Sequence, residues 1–174
     1  AELEAEIARQ GRNGPTEGPA EVSALPRESA MAEESAELDP GITARMREIL
    51  AEITEGRYGR VRLEFGPAGF ALGVESREAG RFLEPANLSA GSLAQVRLAM
   101  YVAFTERLTG NVNPPFLLDD PFADLDEARL RSTLGFLARL SRSRQILWFT
   151  RRKEMARMLE EAGMTPGVIE LGGS

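Results

Sequence analysis

The 174-residue chain contains neither cysteine nor histidine. Without cysteine there is no disulfide framework and no thiolate metal site. Without histidine there is no imidazole base and no His-ligated zinc, which removes most hydrolase mechanisms. Lysine is almost missing as well: Lys153 stands alone, and every other basic side chain is arginine. No apolar run reaches the roughly 18 residues of a membrane span. The charged opening AELEAEIARQ lacks the apolar core of a signal peptide. These absences point to no membrane partner and a cytoplasmic setting, with which nucleoid association is compatible. A net charge of -6 argues against a domain that holds DNA over its whole surface, because such domains are usually basic.

What is present suits one globular domain of ordinary size, with 43% hydrophobic residues. Leu3 and Ile7 suggest a short helical stub. The stretch 11–40 is rich in Gly, Pro, Ser and Glu without a sustained period, so residues 1–39 read as stub plus flexible linker and 40–174 as the ordered lobe. Ile42, Met46, Ile49, Leu50 and Ile53 fall on one helical face, which Gly56 closes. Val61, Leu63 and Phe65 alternate with Arg60, Arg62 and Glu64. After the turn Gly66-Pro67-Ala68-Gly69, Phe70, Leu72 and Val74 complete a hairpin with one buried face. Residues 77–88 look irregular. An apolar helix over about 93–108 follows, with Ser92 and Gln95 as a capping box. Phe116-Leu117-Leu118 and Gln145–Phe149 read as buried parallel strands, separated by a helix carrying Leu130, Leu134, Leu137 and Leu140. A helix with Met155, Met158, Leu159 and Ala162 leads to a last strand, Val168–Leu171. The alternation implies a parallel sheet with crossover helices.

Three segments carry candidate chemistry. Asn87-Leu88-Ser89-Ala90-Gly91-Ser92 directly precedes a helix, whose free N–H groups and dipole suit an anion. Ser89 adds a hydroxyl donor, and the same pattern alone is also an ordinary N-cap loop. Pro115–Pro121 brings Asp119 and Asp120 to the end of an apolar strand. One acid there suits Mg²⁺, which takes oxygen ligands, and the other suits orienting an attacking water. Taken alone, the pair also reads as acids capping a solvated strand end. Phe122-Ala123-Asp124-Leu125-Asp126 opens the next helix, with Asp126 a good N-cap.

In this order the segments resemble the C-terminal lobe of ABC-type ATPase heads of the SMC, RecF, RecN and SbcC group. In that group a signature loop, signature helix, Walker B strand, D-loop and switch strand follow one another. Here Leu88–Ser92, the helix from Leu93, Phe116–Asp120, Ala123–Asp126 and Ile146–Thr150 match them. The YhaN-like bacterial branch shares a further stretch, Glu52–Tyr58, ahead of the signature. The resemblance implies a P-loop-NTPase-like α/β fold, in its C-terminal half, with an antiparallel hairpin. It implies ATP and Mg²⁺ as cofactors. Leu88, Ser89, Gly91 and Ser92 would meet ATP held by an opposing head, with Ser89 and Gly91 on its γ-phosphate. Asp119 would belong to the Mg²⁺ shell and Asp120 would be the catalytic carboxylate. Asp124 and Asp126 would lie in the D-loop at the dimer interface. The implied partners are a second head and, beyond it, DNA and a nuclease.

The chain departs from the group in four places. No segment reads Gly-x-x-x-x-Gly-Lys-Ser/Thr, and Lys153, in Arg151-Arg152-Lys153-Glu154, cannot serve a phosphate loop. We therefore expect a half-head that needs a separate N-terminal Walker A lobe and is inactive alone. Thr150 is followed by Arg151 where the group has a histidine. Arg151 can stabilise transition-state charge but cannot relay a proton. Ala90 replaces the first signature glycine and Ser92 stands where Gln or Glu is common. Asp120 replaces glutamate. The alternative is a non-enzymatic α/β remnant that acts as a protein-interaction domain. Because another lobe would cover part of this surface, an exposed apolar patch is expected on the chain by itself. Arg57, Arg60 and Arg62 form one basic cluster, and Arg142, Arg144, Arg151 and Arg152 another. Either could touch DNA phosphates or simply balance nearby acids.

Overall fold

Helix α1 spans Pro40–Ile53 and buries Ile42, Met46, Ile49, Leu50 and Ile53, the five apolar residues that its periodicity singles out. Asp39 caps it by accepting from Gly41 N–H at 2.8 Å, and Pro40 at the first turn forgoes an N–H that has no helical partner anyway. The helix ends where Glu55 and Gly56 take positive φ (52° and 74°), so that Gly56 N–H can reach Ala51 C=O at 2.7 Å. The structure, a computed structural model, describes residues 36–37, 39–66 and 69–172. The expected stub and nearly all of the expected linker lie outside them.

Two sheets follow from two kinds of sequence. The alternating segments make β2 (Tyr58–Gly66) and β3 (Gly69–Ser76), antiparallel with Leu63 opposite Leu72 and Val61 opposite Val74. Leu63 and Val74 are fully buried, whereas Phe65 and Phe70 are exposed. They lie at the hairpin tip, beyond the core, and pack edge to face on each other at 6.3 Å. Two short strands complete a four-stranded antiparallel sheet. They are β1 (Ala36–Glu37) on β2 and β4 (Arg81–Leu83) on β3. Strand β4 lies in the stretch expected to be irregular, and β1 in the stretch read as linker.

The second sheet has two parallel strands, β5 (Phe116–Asp119) and β6 (Ile146–Phe149), with Phe116 opposite Ile146 and Asp119 opposite Phe149. Helix α3 (Glu127–Leu140) crosses between them. The sheet is not buried on both faces, as the apolar runs suggested. Phe116 and Leu118 point into the core, while Leu117, Leu147 and Phe149 are 57%, 38% and 47% exposed. The expected final strand does not form: residues 164–172 run without secondary structure, and Val168, Ile169 and Leu171 are exposed. β-propensity is realised only against a neighbouring strand, and this segment joins neither sheet among the described residues.

Helix α2 (Ala90–Thr109) runs through the middle and buries Val96, Leu98, Ala99, Val102 and Ala103. Its Val96, Ala99 and Val102 share one core with Leu50 and Ile53 of α1, Phe116 and Leu118 of β5, and Leu130, Leu134 and Leu137 of α3. Each such buried Val, Leu, Ile or Phe side chain stabilises the fold by about 1.5–3 kcal/mol. The expected capping box is not formed. The cap is Ser89, three residues earlier, and Gln95 is instead buried. Its Nε2 donates to Ile53 C=O at 2.6 Å and to Thr133 Oγ1 at 3.2 Å. Ser132 Oγ adds a second donor to the same carbonyl, at 2.9 Å. The end of α1, whose carbonyls lack helical partners, is thereby tied to both α2 and α3. Helix α4 (Met155–Glu161) seats Met155 and Leu159 on the same core.

Candidate functional site

A short 3-10 turn, Pro85–Asn87, sets up the N-terminus of α2. Leu88 N–H bonds back to Pro85 C=O at 3.2 Å, and its side chain packs partly buried against the core. Ser89 is exposed and its Oγ accepts from Ser92 N–H at 3.2 Å. Ala90 occupies the first helical turn without positive φ, so its Cβ is tolerated there. Ser92, 2% exposed, has its Oγ 3.0 Å from Ser89 Oγ. It also receives Tyr58 O–H at 2.9 Å.

The loop before α3 closes onto this turn. A Cβ on Gly91 would sit 2.9 Å from the backbone oxygen of Asp124 and 3.3 Å from Leu125 Cδ2. Glycine is needed there for the close approach of the loop, not for positive φ. Phe122 anchors the loop beneath, buried and edge-on to Trp148 at 5.4 Å. Asp126 caps α3 by accepting from Arg129 N–H at 2.9 Å. The Arg129 side chain folds back, with Nε 3.2 Å from Asp126 Oδ2. Its Nη1 reaches Ser89 Oγ at 3.3 Å and Ser92 Oγ at 3.4 Å. Ser89, Gly91 and Ser92 therefore meet Asp124 and Asp126 in one cluster, with Leu88 packed on the core beside them. Tyr58 and Arg129 belong to it although sequence reasoning passed them over. Arg129 at the third position of a helix capped by Asp126 was the available signal.

Asp119, Asp120 and Arg151 make a second cluster. They line an open cleft of about 1210 Å³ together with Thr150, Arg144 and the segment 164–171. No residue of the Leu88–Ser92 turn lines it. Asp119 and Arg151 are exposed and Asp120 is half-buried. Asp120 takes φ +38°, its N–H donates to Phe149 C=O at 2.9 Å, and its Oδ1 accepts from Thr150 Oγ1 at 3.0 Å. Arg152 N–H donates to Thr150 Oγ1 at 3.1 Å, and its side chain pairs with Glu154. Among the described residues no three acids gather into a protein-only metal cage. Asp119 fits Mg²⁺ in the other way, one or two carboxylates with the rest of the shell from water and phosphate. Arg144 lies at the base of the cleft, 8% exposed, with Nη1 unpaired and its guanidinium 5.5 Å from the Phe116 ring.

The other basic cluster is largely neutralised. Arg60 pairs with Glu75 at 2.8 Å and Arg62 lies 3.6 Å from Glu64, while both guanidinium groups lie over Phe82. None of the described helices is long and apolar enough to cross a membrane.

This α/β arrangement is the fold of an SMC ATPase head, a P-loop-NTPase fold. The SMC ATPase solved in work on ATP-driven dimerization and DNA-stimulated activation aligns with a TM-score of 0.55 and 19% identity, over 70% of this chain and 71% of its own. The Smc head of Pyrococcus furiosus, bound to the C-terminal domain of ScpA, aligns with a TM-score of 0.54 and 20% identity, over 70% of this chain and 30% of its own. The SMC head of Thermotoga maritima gives 0.52 and 20%, over 70% and 40%. In sequence the chain is similar to YhaN of Bacillus subtilis (strain 168), an uncharacterized protein, with 31% identity over 112 residues. That match covers 64% of this chain but only 11% of YhaN. No family model matches.

Proposed function

We propose that this chain is the C-terminal half of an ABC-type ATPase head, working with a separate Walker A lobe in DNA repair or chromosome maintenance. The observation that carries the reading is the division of candidate residues into two half-sites. The turn Leu88–Ser92 sits on the Asp124–Asp126 loop at one place, and Asp119, Asp120 and Arg151 share a cleft at another. An enzyme that closes ATP between two heads needs this separation. In this reading Ser89 and Gly91, flanked by Leu88 and Ser92, meet the γ-phosphate of ATP on the opposing head. Asp124 and Asp126 form the D-loop between heads.

Asp119 would hold Mg²⁺, which would supply charge neutralisation on the phosphates. Asp120 orients the attacking water, its carboxylate aimed by Thr150. Arg151, exposed in the same cleft, supplies positive charge where a histidine is otherwise found. The Walker A lobe covers the bare face of β5 and β6, with Leu117, Leu147 and Phe149. The edge of β6 and the unpaired segment 164–172 flank the cleft that it enters. A second head, DNA and a nuclease are the further partners in this reading. The likeness to a structure described by ATP-driven dimerization supports the ATP-bridged pair.

The deciding experiment is Mg·ATP calorimetry on this chain alone and then with a Walker A lobe. Binding only in the mixture is expected. With Arg151 after Thr150 where a histidine is otherwise found, a second reading is a non-enzymatic interaction domain. It predicts that the lobe docks without any nucleotide binding.

A further inference from the structure

We propose that Arg144 is a docking residue: its buried guanidinium pairs with an Asp or Glu carboxylate carried by the Walker A lobe that enters the cleft beside β6. The inference rests on the reading of this chain as a half-head and names what the other lobe must bring to this face.

Two buried donors in the cleft lack acceptors. Among the described residues, the buried side-chain polar atoms without a partner are Arg144 Nη1 and Trp148 Nε1, and both residues line the same cleft. Protein interiors rarely leave such groups unpaired. The indole is neutral, but a guanidinium is charged at any working pH, and a buried charge without a counter-charge is strongly unfavourable. Arg144 is 8% exposed, and it takes part in none of the ion pairs among the described residues. The Phe116 ring, 5.5 Å away, attracts the cation with its face but carries no counter-charge.

Position decides where the counter-charge comes from. Arg144 N–H donates to Leu140 C=O at 3.1 Å, so the end of α3 fixes where its side chain starts, ahead of β6. Asp119, Asp120 and Thr150 stand at the other, carboxyl end of the parallel strands. Strands rise about 3.3 Å per residue, and all of Ile146–Phe149 lies between the two ends. The acids therefore do not neutralise Arg144, and a nucleotide, which binds outside the carboxyl ends of such strands, does not reach it. Its burial also takes it out of the basic cluster that could touch DNA. What remains is the protein that fills the cleft. Phe116 and Asp120 N–H groups bond to Gln145 and Phe149 C=O, so by alternation the backbone of Ile146 and Trp148 faces away from β5, on an open edge. A segment of the lobe that follows this edge passes Arg144 and Trp148 in turn. Its carboxylate meets the arginine fork, which suits two parallel bonds, and another of its oxygens takes the indole N–H.

The test measures the affinity of the full chain for the Walker A lobe by calorimetry, beside thermal unfolding of the chain by itself. Arg144→Met removes the charge and keeps an unbranched side chain. It is expected to weaken docking about thirtyfold or more. The unfolding midpoint of the chain by itself should stay unchanged or rise, since no pair is broken there. One Asp→Asn or Glu→Gln change in the lobe should give the same loss and add nothing to Arg144→Met. Glu170→Gln, at an exposed residue that also lines the cleft, should change neither reading. Docking unchanged by Arg144→Met, as when solvent supplies the acceptor, would overturn the inference. So would a lower unfolding midpoint, or a coupling to Glu170 and to no acid of the lobe, because Arg144 would then be paired within this chain. If the unaltered chain and lobe do not dock at all, the half-head reading is the one that fails, and this inference falls with it.

Discussion

Thr150 Oγ1 donates to Asp120 Oδ1 at 3.0 Å across the ends of the two parallel strands, and Asp120 takes φ +38° to receive it. Left-handed backbone costs a non-glycine residue about 1–2 kcal/mol, least for Asp and Asn. Such strain persists only where the surroundings impose it. Here they do: Asp120 N–H is held by Phe149 C=O at 2.9 Å, while Thr150 holds the side chain. Thr150→Val should free the carboxylate and lower ATP turnover of the assembled head about tenfold, the effect of one lost hydrogen bond. Mg·ATP affinity should be unchanged. Steady-state kinetics beside calorimetry separates the two, and an equal drop in affinity would show that Thr150 acts on binding.

Asp119 is exposed at the end of β5, beside Asp120. Charge stabilisation by a metal is worth several kcal/mol. Asp119→Ala should therefore lower Mg²⁺-dependent turnover of the assembled head at least about a hundredfold. Undiminished turnover would remove Asp119 from the metal shell.

The bare side of the parallel sheet sets a prediction about association. Leu117, Leu147 and Phe149 lie together on it, while Phe116 and Leu118 are buried on the opposite side. Covering a leucine or phenylalanine side chain is worth about 1.5–3 kcal/mol. The chain by itself should therefore self-associate at high concentration. Replacing Leu117 and Phe149 by glutamate should keep it monomeric in light scattering and prevent docking of the Walker A lobe. A wild-type chain that stays monomeric and binds no apolar dye would count against the half-head reading.

The helices and hairpin were legible because their burial follows local period. The five buried residues of α1 are those its spacing marks, and Leu63 and Val74 follow from alternation. Long-range pairing was less legible. Val168–Leu171 has strand-forming residues, but a strand requires a neighbour that no local pattern supplies. The burial of the second face of β5 and β6 was overread for the same reason. In the candidate site, Ser89, Gly91, Asp119 and Asp120 were singled out by motif. The reason for Gly91, its 2.9 Å approach to the Asp124 oxygen, was not. Tyr58 escaped notice because it enters the site from β2, far away in sequence, and Arg129, although close to Asp126 in sequence, is brought to Ser89 and Ser92 only by the fold. The start of α2 was misplaced because Ser89 and Ser92 are both capping residue types, and only the buried bonds of Gln95 to Ile53 and Thr133 distinguish them.

Glu75 gives the clearest dependence on pH. The Arg60 side chain, with help from the Arg60 backbone N–H, lowers its carboxyl from 4.5 to about 2. A carboxylate depressed in the folded state stabilises the fold above its unfolded value. That contribution is complete above about pH 4.5 and fades as pH falls toward 2. The pair is exposed, with side-chain accessibilities of 68% and 28%, so its contribution is small and screened by salt. Arg60→Met should move the Glu75 titration, followed by carbon NMR of the carboxyl, up toward the ordinary range, while the backbone bond still lowers it in part. It should also flatten the acid limb of urea unfolding between about pH 4.5 and 2. A Glu75 titration unmoved by Arg60→Met would mean that the Arg60 backbone N–H and Arg77, and not the Arg60 side chain, hold this carboxylate low.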